Sequence, residues 1–302
     1  MLHELRLDFR PPLWPDSLFG HLVATAVPGV EEWRGGALRR TLRLPSGPGV
    51  VALAPRAGHV ACRLRVAADA DLPAAVAACR RLLDLDADPA AIGGALAGDP
   101  LLAPLVAAAP GRRIPGTVDP AEMALRIVLG QQVTVAAAGT LAARLVAAAG
   151  EPVDDPDGGL THLFPTPAAV AAVDPAVLAM PAGRRATVVA LARALADGLV
   201  DLEAGSDRAA ALAALGALPG IGPWTVAMVA MRALGDPDAF PATDLGVRQA
   251  ARERGLPSTP AALGARADRW RPWRAYAVQY LWGTADHAVN RLPAAAPADP
   301  GT

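Results

Sequence analysis

The chain has 302 residues, which is enough for two or three domains and a sizeable buried core. It contains no lysine, so arginine supplies all 28 basic side chains, and 29 acidic residues bring the formal net charge to −1. This balance argues against a protein that coats nucleic acid or a membrane, although local basic patches remain open. Cys62 and Cys79 lack CxxC spacing, which excludes a four-cysteine metal site in these residues and fits a reduced compartment.

No targeting or membrane segment is predicted. The N-terminal stretch MLHELRLDFR is charged and has no apolar run behind it, unlike a secretory signal. The longest membrane-like stretch, VTVAAAGTLAARLVAAAG, contains Arg144 and is mostly alanine, which favours a buried helix. The five histidines show no metal-ligand spacing. We expect a cytoplasmic protein with no membrane partner, no metal and no cofactor.

The first 88 residues mix helix and strand patterns. PDSLFGHLVATAV has helical spacing, with Asp16 or Ser17 as its predicted N-cap. Three runs separated by Pro/Gly turns, RTLRLPS, GVVALAP and HVACRLRVA, predict three short antiparallel strands. DLPAAVAACRRLLDL returns to helical spacing. Residues 1–88 are therefore predicted to form a small α+β domain.

From Pro89 onward almost every stretch has helical spacing, in short lengths punctuated by glycine and proline. The predicted fold class is thus α+β, with a small N-terminal antiparallel-sheet domain followed by a mostly α-helical core at residues 89–290. The tail at 291–302, RLPAAAPADPGT, has a composition typical of disorder.

The stretch LPGIGPWT, residues 218–225, connects two of the predicted helices. Gly220 and Gly222 allow positive φ and leave backbone N–H groups uncovered, and Pro223 suits the first turn of the second helix. Exposed amides at the positive end of a helix form a site for an anion such as a phosphate. A tight helical hairpin with a glycine C-cap fits the same letters, so this stretch alone leaves both interpretations open.

Further along, FPATDLGVRQAARERG places Asp244 at the head of a helix. Either Thr243 or Asp244 suits the N-cap, a position that also directs a carboxylate out of the helix end. Arginines outnumber carboxylates in the stretch from Asp244 to Arg274. This excess suits phosphate contacts along one face of the protein and, equally, a solvated helix surface. The arginines are Arg248, Arg252, Arg254, Arg266, Arg269, Arg271 and Arg274, against Asp244, Glu253 and Asp268.

Together these segments resemble the helix-hairpin-helix DNA glycosylases, and among them the bacterial DNA-3-methyladenine glycosylase II type. LPGIGPWTVAMVAMRA, FPATDLGVRQ and RWRPWRAYAVQYLW are similar to segments of that family in order and spacing, and the likeness covers nearly the whole chain. The resemblance implies that the N-terminal unit is the family's small α+β domain. It also implies two helical lobes, roughly 115–236 and 89–114 plus 237–290, with a lesion pocket between them.

The resemblance implies a monofunctional DNA N-glycosylase of base excision repair, which flips and excises alkylated bases such as 3-methyladenine and 7-methylguanine. Asp244 matches the family's catalytic residue and is expected to stabilise an oxocarbenium-like transition state. Bifunctional relatives use a lysine just inside the hairpin to form a Schiff base. Trp224 stands there in this chain, and no lysine exists to replace it. Abasic sites in unbroken strands are the expected product.

Further roles follow from the same resemblance. Trp224 and Trp282 match pocket aromatics, which stack on a cationic base. Met228 and Leu245 stand at two pocket positions where the best-known enzyme of this type has tyrosines, which leaves the lesion spectrum open. Gln132 matches a leucine that is inserted into the DNA stack, although a polar residue at a helix kink also fits. The other expected DNA-contacting residues are Gly220, Ile221, Gly222 and Arg248.

Other functions stay open at this point. A non-catalytic protein that binds damaged DNA uses the same hairpin, but Asp244 at the expected place argues against it. The predicted aromatic pocket argues only weakly against a glycosylase for uracil or a deaminated purine. An unrelated hydrolase is disfavoured because no Gly-x-Ser-x-Gly element occurs. The expected partner is double-stranded DNA with damaged bases, bound by a monomer that needs no other protein.

Overall fold

The computed structural model describes residues 1–293, so the part of the predicted tail from 294 to 302 lies outside the described residues. The strands are β1 (Leu2–Asp8), β2 (Glu31–Arg34), β3 (Ala37–Leu44), β4 (Gly47–Arg56), β5 (His59–Arg65), β6 (Glu151–Pro152) and β7 (His162–Leu163). The helices of the first half are α1 (Pro15–Ala24), α2 (Leu72–Leu82), α3 (Pro89–Ala97), α4 (Ala103–Ala108), α5 (Pro120–Leu129) and α6 (Val135–Ala149). The later helices are α7 (Pro167–Ala172), α8 (Ala182–Ala196), α9 (Arg208–Gly216), α10 (Pro223–Arg232), α11 (Leu245–Glu253), α12 (Pro260–Ala267) and α13 (Arg274–Trp282).

An antiparallel five-stranded sheet, in the order β1-β5-β4-β3-β2, forms the N-terminal part. Leu38 pairs with Leu53, and Leu53 pairs with Cys62, so three adjacent strands place buried side chains in one row. Phe19 of α1 and Leu82 of α2 join the same hydrophobic core. Because alternate residues of a strand face opposite sides, this row gives the sheet one apolar face, which the two helices cover.

The sheet has two more strands than the sequence analysis predicted. The predictions for β3, β4 and β5 are confirmed, but β1 and β2 were missed. Both lie at the edges of the sheet, where charged side chains are common because one side of the strand has no neighbour. The prediction of an N-cap at Asp16 or Ser17 is also wrong. The helix begins at Pro15, with Trp14 as N-cap and no side-chain capping bond.

A second and larger hydrophobic core lies within the helices from α3 to α13. Central to it is α5, whose residues Leu125, Val128 and Leu129 are completely buried. The membrane-like stretch forms α6, which buries the face carrying Leu145 but exposes Val135 and is therefore less buried than expected. Among residues 1–293, no helix is long and apolar enough to cross a membrane. The predicted fold class is confirmed: an antiparallel-sheet unit precedes a mostly helical core.

A buried ionic cluster joins the sheet to the helical core. Arg40 of β3 is 2 % exposed and donates to Glu31 over 2.8 Å and to Glu122 of α5 over 2.9 Å. Arg126, one turn further along α5, pairs with the same two carboxylates. Each buried charge in this cluster therefore has a partner of opposite sign, as burial requires.

The chain packs beyond the predicted end of the core at residue 290. A Cβ at Gly20 of α1 would lie 2.4 Å from the carbonyl oxygen of Arg291, so the glycine permits a close backbone contact there. Leu292 packs against the core beneath the sheet. The sheet's own core ends at Leu85 in the sequence, while the domain boundary at residue 88 stays a prediction.

Candidate active site

The predicted hairpin connects α9 to α10. Gly220 has φ +82°, and a Cβ there would lie 2.0 Å from Oγ1 of Thr187, so neither the conformation nor the space admits a side chain. Gly222 differs from the expectation: its φ is −104°, and a Cβ there would meet nothing within 4 Å. Ile221 between them is 9 % exposed and anchors the hairpin in the core.

The hairpin presents free amides at the start of α10. Within residues 1–293, the N–H groups of Gly220 and Gly222 have no hydrogen-bond partner. Pro223 occupies the first position of α10, as predicted, where its missing N–H costs nothing. Uncovered amides and the positive end of the helix together form an anion site.

Asp244 is the N-cap of α11, which confirms its predicted position at the head of a helix. Its Oδ1 accepts hydrogen bonds from the backbone N–H of Val247 at 2.8 Å and from Nε1 of Trp282 at 2.9 Å. Its Oδ2 accepts a hydrogen bond from Nε1 of Trp224 at 2.9 Å. Three N–H donors from three helices thus hold the carboxylate in one orientation.

Close packing beside Asp244 depends on Gly246. A Cβ on Gly246 would lie 3.3 Å from Nε1 of Trp282, so the glycine leaves room for the indole against the helix end. Sequence reasoning assigned Trp224 and Trp282 to stacking and missed their bonds to Asp244. These bonds join residues 20 and 38 positions apart, and no local pattern marks them.

A cavity of about 240 Å³ opens next to Trp224. That volume lies below the ~300–1,000 Å³ typical of sites for drug-sized ligands and suits a single nucleobase. Its lining includes Trp224 and Met228 of α10, the α5–α6 turn, and polar side chains on α1, α5 and α10. The lining residues are His21, Thr25, Val27, Met123, Arg126, Ile127, Gly130, Val133, Thr134, Val135, Ala138, Gly139, Ala142, Trp224, Met228 and Arg232.

Two predicted pocket residues do not line this cavity. Trp282 contacts Asp244 from the side, and Leu245 is 78 % exposed on the surface next to Asp244. The expectation that these two side chains form the base pocket together with Trp224 and Met228 stays a prediction. Leu245 is exposed because it lies in the first turn of α11, where the buried face belongs to Val247 and Ala251.

The cavity contains a polar group that sequence reasoning missed. Nε2 of His21 lies 2.7 Å from NH1 of Arg232. Burial, followed by the charges of Arg232 and Arg126, holds the pKa of His21 well below its usual range. Burial likewise lowers the pKa of Arg232, to about 9. The guanidinium is still charged near neutral pH at that value.

The turn between α5 and α6 lies at the edge of the cavity. Gln132 at its tip is exposed and has φ +57°, a left-handed conformation that is uncommon for a side chain other than glycine. Nε2 of Gln131 donates to Oγ1 of Thr225 at 2.8 Å and reaches the carbonyl oxygen of Gly220 at 3.3 Å. The turn is therefore tied to the hairpin on the neighbouring helix.

The basic face predicted beyond Asp244 is smaller than the residue count indicated. Several of its arginines are paired with carboxylates, two of which, Asp99 and Asp238, lie outside the counted stretch. The pairs are Arg254 with Glu253, Arg266 with Asp99, Arg271 with Asp238 and Asp268, and Arg274 with Asp238 and Asp268. Arg248 donates through Nε to the carbonyl of Ser258 at 2.7 Å, and no described carboxylate lies within 4.0 Å of it.

The described residues contain no group of three or more His, Cys, Asp or Glu side chains that could hold a metal ion. The site combines an oriented carboxylate, that of Asp244, with a cavity lined by Trp224. The hairpin with its uncovered amides precedes α10 and lies next to both the carboxylate and the cavity.

Two family models match the chain. Residues 4–119 match the AlkA N-terminal domain, and residues 125–275 match the HhH-GPD superfamily of base excision DNA repair proteins. The second match contains the hairpin, Asp244 and Trp224.

Curated relatives and a solved structure agree with these models. A Mycobacterium tuberculosis protein named "Probable bifunctional transcriptional activator/DNA repair enzyme AlkA" is 56 % identical over 96 % of this chain, which spans only 58 % of that relative's length. The Escherichia coli DNA-3-methyladenine glycosylase 2 is 35 % identical over 92 % of this chain and 96 % of its own. A 3-methyladenine DNA glycosylase from Archaeoglobus fulgidus superposes with a TM-score of 0.78 at 22 % identity, covering 93 % of this chain and 97 % of its own. The chain belongs to the HhH-GPD superfamily of base excision DNA repair proteins, in the branch that carries an AlkA N-terminal domain.

Proposed function

We propose that the protein is a monofunctional DNA N-glycosylase, which flips an alkylated base out of the duplex and hydrolyses its bond to the sugar. The observation that carries this proposal is Asp244, whose carboxylate is held by two indole N–H groups beside a cavity of nucleobase size. Family membership supports the same reaction. The substrates proposed are 3-methyladenine, 7-methylguanine and similar bases.

Asp244 is proposed as the catalytic residue. A base alkylated on a ring nitrogen is already positively charged and leaves without a general acid, so the sugar alone needs help as it becomes an oxocarbenium-like cation. An opposite charge at ~4 Å contributes about 1 kcal/mol in water and roughly 4 kcal/mol at an effective dielectric constant of 20. The larger value corresponds to about a thousandfold in rate. Asp244 must therefore be shielded from water when DNA is bound.

The cavity is proposed to receive the flipped base. Trp224 and Met228 line it, and an electron-rich indole attracts an electron-deficient base by roughly 0.5–2 kcal/mol. Trp282 is proposed to act at the same site by fixing Asp244. Leu245, exposed beside Asp244, is proposed to cover the sugar instead of the base.

Double-stranded DNA with damaged bases is the proposed partner, bound by a monomer in the cytoplasm. The free amides of Gly220 and Gly222 are proposed to receive a backbone phosphate, with Ile221 anchoring the hairpin between them, and Arg248 is proposed to make a second phosphate contact. Gln132, exposed at the tip of the α5–α6 turn, is proposed to fill the gap left by the flipped base.

The absence of strand cleavage follows from the residue at the start of α10. A β-elimination mechanism needs an amine close to the sugar for a Schiff base. Trp224 occupies the position just inside the hairpin, and the sequence has no lysine. The proposed product is an abasic site in an unbroken strand.

The proposal is tested with duplex DNA carrying a radiolabelled methyl group, incubated with purified protein without added metal. Chromatography of the released bases is expected to yield free 3-methyladenine and 7-methylguanine, with strands intact until alkali is added. Tight lesion binding without release would support a damage-binding protein instead. Release of uracil or hypoxanthine, but of no methylated base, would support a glycosylase for deaminated bases.

A further inference from the structure

One end of the cavity is polar, and the reaction described above does not use it. Trp224, Met228 and Arg232 recur every four residues on one face of α10, and all three line the cavity. The helical rise puts Arg232 about 12 Å from Trp224 along the axis. Trp224 donates to Asp244, where the sugar is proposed to lie. Arg232 and its partner His21 therefore mark the end of the cavity away from the sugar.

Arg232 determines which nitrogen of His21 carries the proton. A guanidinium only donates hydrogen bonds, so Nε2 of His21, at 2.7 Å from NH1 of Arg232, must accept. A neutral imidazole that accepts at Nε2 has its proton on Nδ1. The low pKa of His21, caused first by burial and then by the nearby arginine charges, keeps the ring neutral at physiological pH.

The remaining polar atom of His21 is available to a ligand. Among the residues that the structure describes, Nδ1 has no hydrogen-bond partner, and it is not among the atoms sealed off without one. The ring that carries this donor lines the cavity.

The neighbouring cations differ in what they already bind. Arg126 is paired with Glu31 and Glu122. Arg232 donates to the carbonyl of Pro115 and has no described carboxylate within 4.0 Å. Its charge therefore polarises the imidazole and strengthens the Nδ1–H donor.

We propose that His21 is a specificity-determining residue, whose Nδ1–H donates to a carbonyl oxygen on the purine edge far from the sugar and disfavours an amino group there. This inference rests on the proposed function. The 6-position of a purine lies on that edge; it is a carbonyl in 7-methylguanine and an amino group in 3-methyladenine. A donor facing a donor leaves both groups without a hydrogen-bond partner once the bound base excludes water. His21 should shift relative release toward the carbonyl-bearing base by about tenfold.

The test measures both bases released from one sample of methylated duplex DNA, so that their ratio is independent of total activity. His21→Phe removes the donor, and the ratio of 7-methylguanine to 3-methyladenine is expected to fall about tenfold. His21→Gln keeps an oxygen that accepts from Arg232 and an N–H group that donates to the base, so its ratio should stay near that of the wild type. His21→Met, of similar size to glutamine but without a donor, should match His21→Phe.

An unchanged ratio in His21→Phe and His21→Met, with 3-methyladenine still released, would overturn the inference and leave the proposed function standing. A ratio lowered equally in His21→Gln would also overturn it, because the donor would then not be the cause. Absence of any release from the wild type would contradict the proposed function instead.

An NMR titration of the wild-type protein tests the inference even if the variants do not fold. In protein labelled with nitrogen-15 at histidine and tryptophan, free 7-methylguanine is expected to shift the Nδ1 resonance of His21. Free 3-methyladenine is expected to leave this resonance in place. A Nδ1 resonance unaffected by 7-methylguanine at concentrations that fill the cavity, monitored by the indole resonance of Trp224, would overturn the inference.

Discussion

At the scale of single residues, the candidate site is organised around Asp244 and its two indole donors. A carboxylate that accepts three N–H groups cannot rotate freely, so Asp244 is held in one orientation before the proposed contact with the sugar. Charge-assisted hydrogen bonds of this kind are shorter and stronger than neutral ones. Trp224 and Trp282 thus orient the proposed catalytic group through their N–H edges, while the face of Trp224 is left for the proposed contact with the base.

The first prediction concerns Trp282→Phe, which keeps an aromatic ring but removes the donor to Oδ1 of Asp244. A hydrogen bond to a charged group contributes about 1.5–3 kcal/mol, so single-turnover base release should fall at least about tenfold. Lesion binding, measured separately by fluorescence anisotropy, should change little. Trp273→Phe is the matched control, because Trp273 packs on Tyr276 away from Asp244. Equal rates for wild type and Trp282→Phe would contradict the role given to the indole.

At the scale of elements, the two hairpin glycines have different reasons to be glycine. Gly220 has positive φ and no room for a Cβ, so its side chain is excluded by the fold. Gly222 has neither constraint. Its lack of a side chain leaves open space in front of its free amide. The proposed DNA contact explains why that space is left open.

The second prediction separates these roles. Gly220→Ala should lower the free energy of unfolding by more than about 1 kcal/mol, because left-handed φ and the contact with Thr187 both oppose alanine. Gly222→Ala should leave the thermal midpoint unchanged and weaken binding to damaged and undamaged duplexes alike, since phosphate contacts carry no sequence information. Normal DNA affinity in a folded Gly222→Ala protein would argue against phosphate binding at this hairpin.

The turn between α5 and α6 supplies the third prediction. Gln132 holds φ +57°, which costs a side chain of order 1 kcal/mol and costs glycine nothing. Gln132→Gly should therefore leave stability equal or raise it by up to ~1 kcal/mol, yet slow base release from duplex DNA because no side chain fills the gap. Chemical denaturation and single-turnover release measure the two effects. A loss of stability would contradict the backbone strain assigned to Gln132, and base release at the wild-type rate would contradict the wedge role.

Elements also differ in how far the sequence predicts them. The hairpin, the helix starting at Asp244 and Pro223 at the first position of α10 are encoded within short continuous stretches, and the structure confirms them. The edge strand β1 was missed because its pairing with β5 joins residues about sixty positions apart. The contact between His21 and Arg232 spans 211 positions, and nothing in either local sequence indicates it.

At the scale of the whole molecule, buried polar contacts join the sheet unit to the helical core. The Arg40 cluster is one such contact, and Asp84 is another. Oδ2 of Asp84, just beyond α2, accepts hydrogen bonds from the hydroxyl of Tyr276 on α13 at 2.9 Å and from the N–H of Ile114 at 3.1 Å. Burial raises the pKa of Asp84 to about 6.

The fourth prediction follows from that pKa. A carboxyl with a folded pKa above its unfolded value binds its proton more tightly in the folded state, so its contribution to stability is complete below about pH 4 and is lost as pH rises through about 6. Asp84→Asn should therefore gain about 2–3 kcal/mol relative to the wild type between pH 4 and pH 7. Urea denaturation across this range measures it, with exposed Asp154→Asn as control. A constant difference between Asp84→Asn and wild type would contradict the assignment.

The same whole-molecule arrangement brings α1, α10, α11 and α13 to one site, with Asp244 as the group proposed to act on the sugar. The most direct measurement is single-turnover release of 3-methyladenine by wild type and Asp244→Asn. Asparagine also caps helices well, so the variant should fold and still bind the lesion. We predict that release falls about a thousandfold, because the negative charge is lost. Release at the wild-type rate by a folded, lesion-binding Asp244→Asn protein would contradict the account.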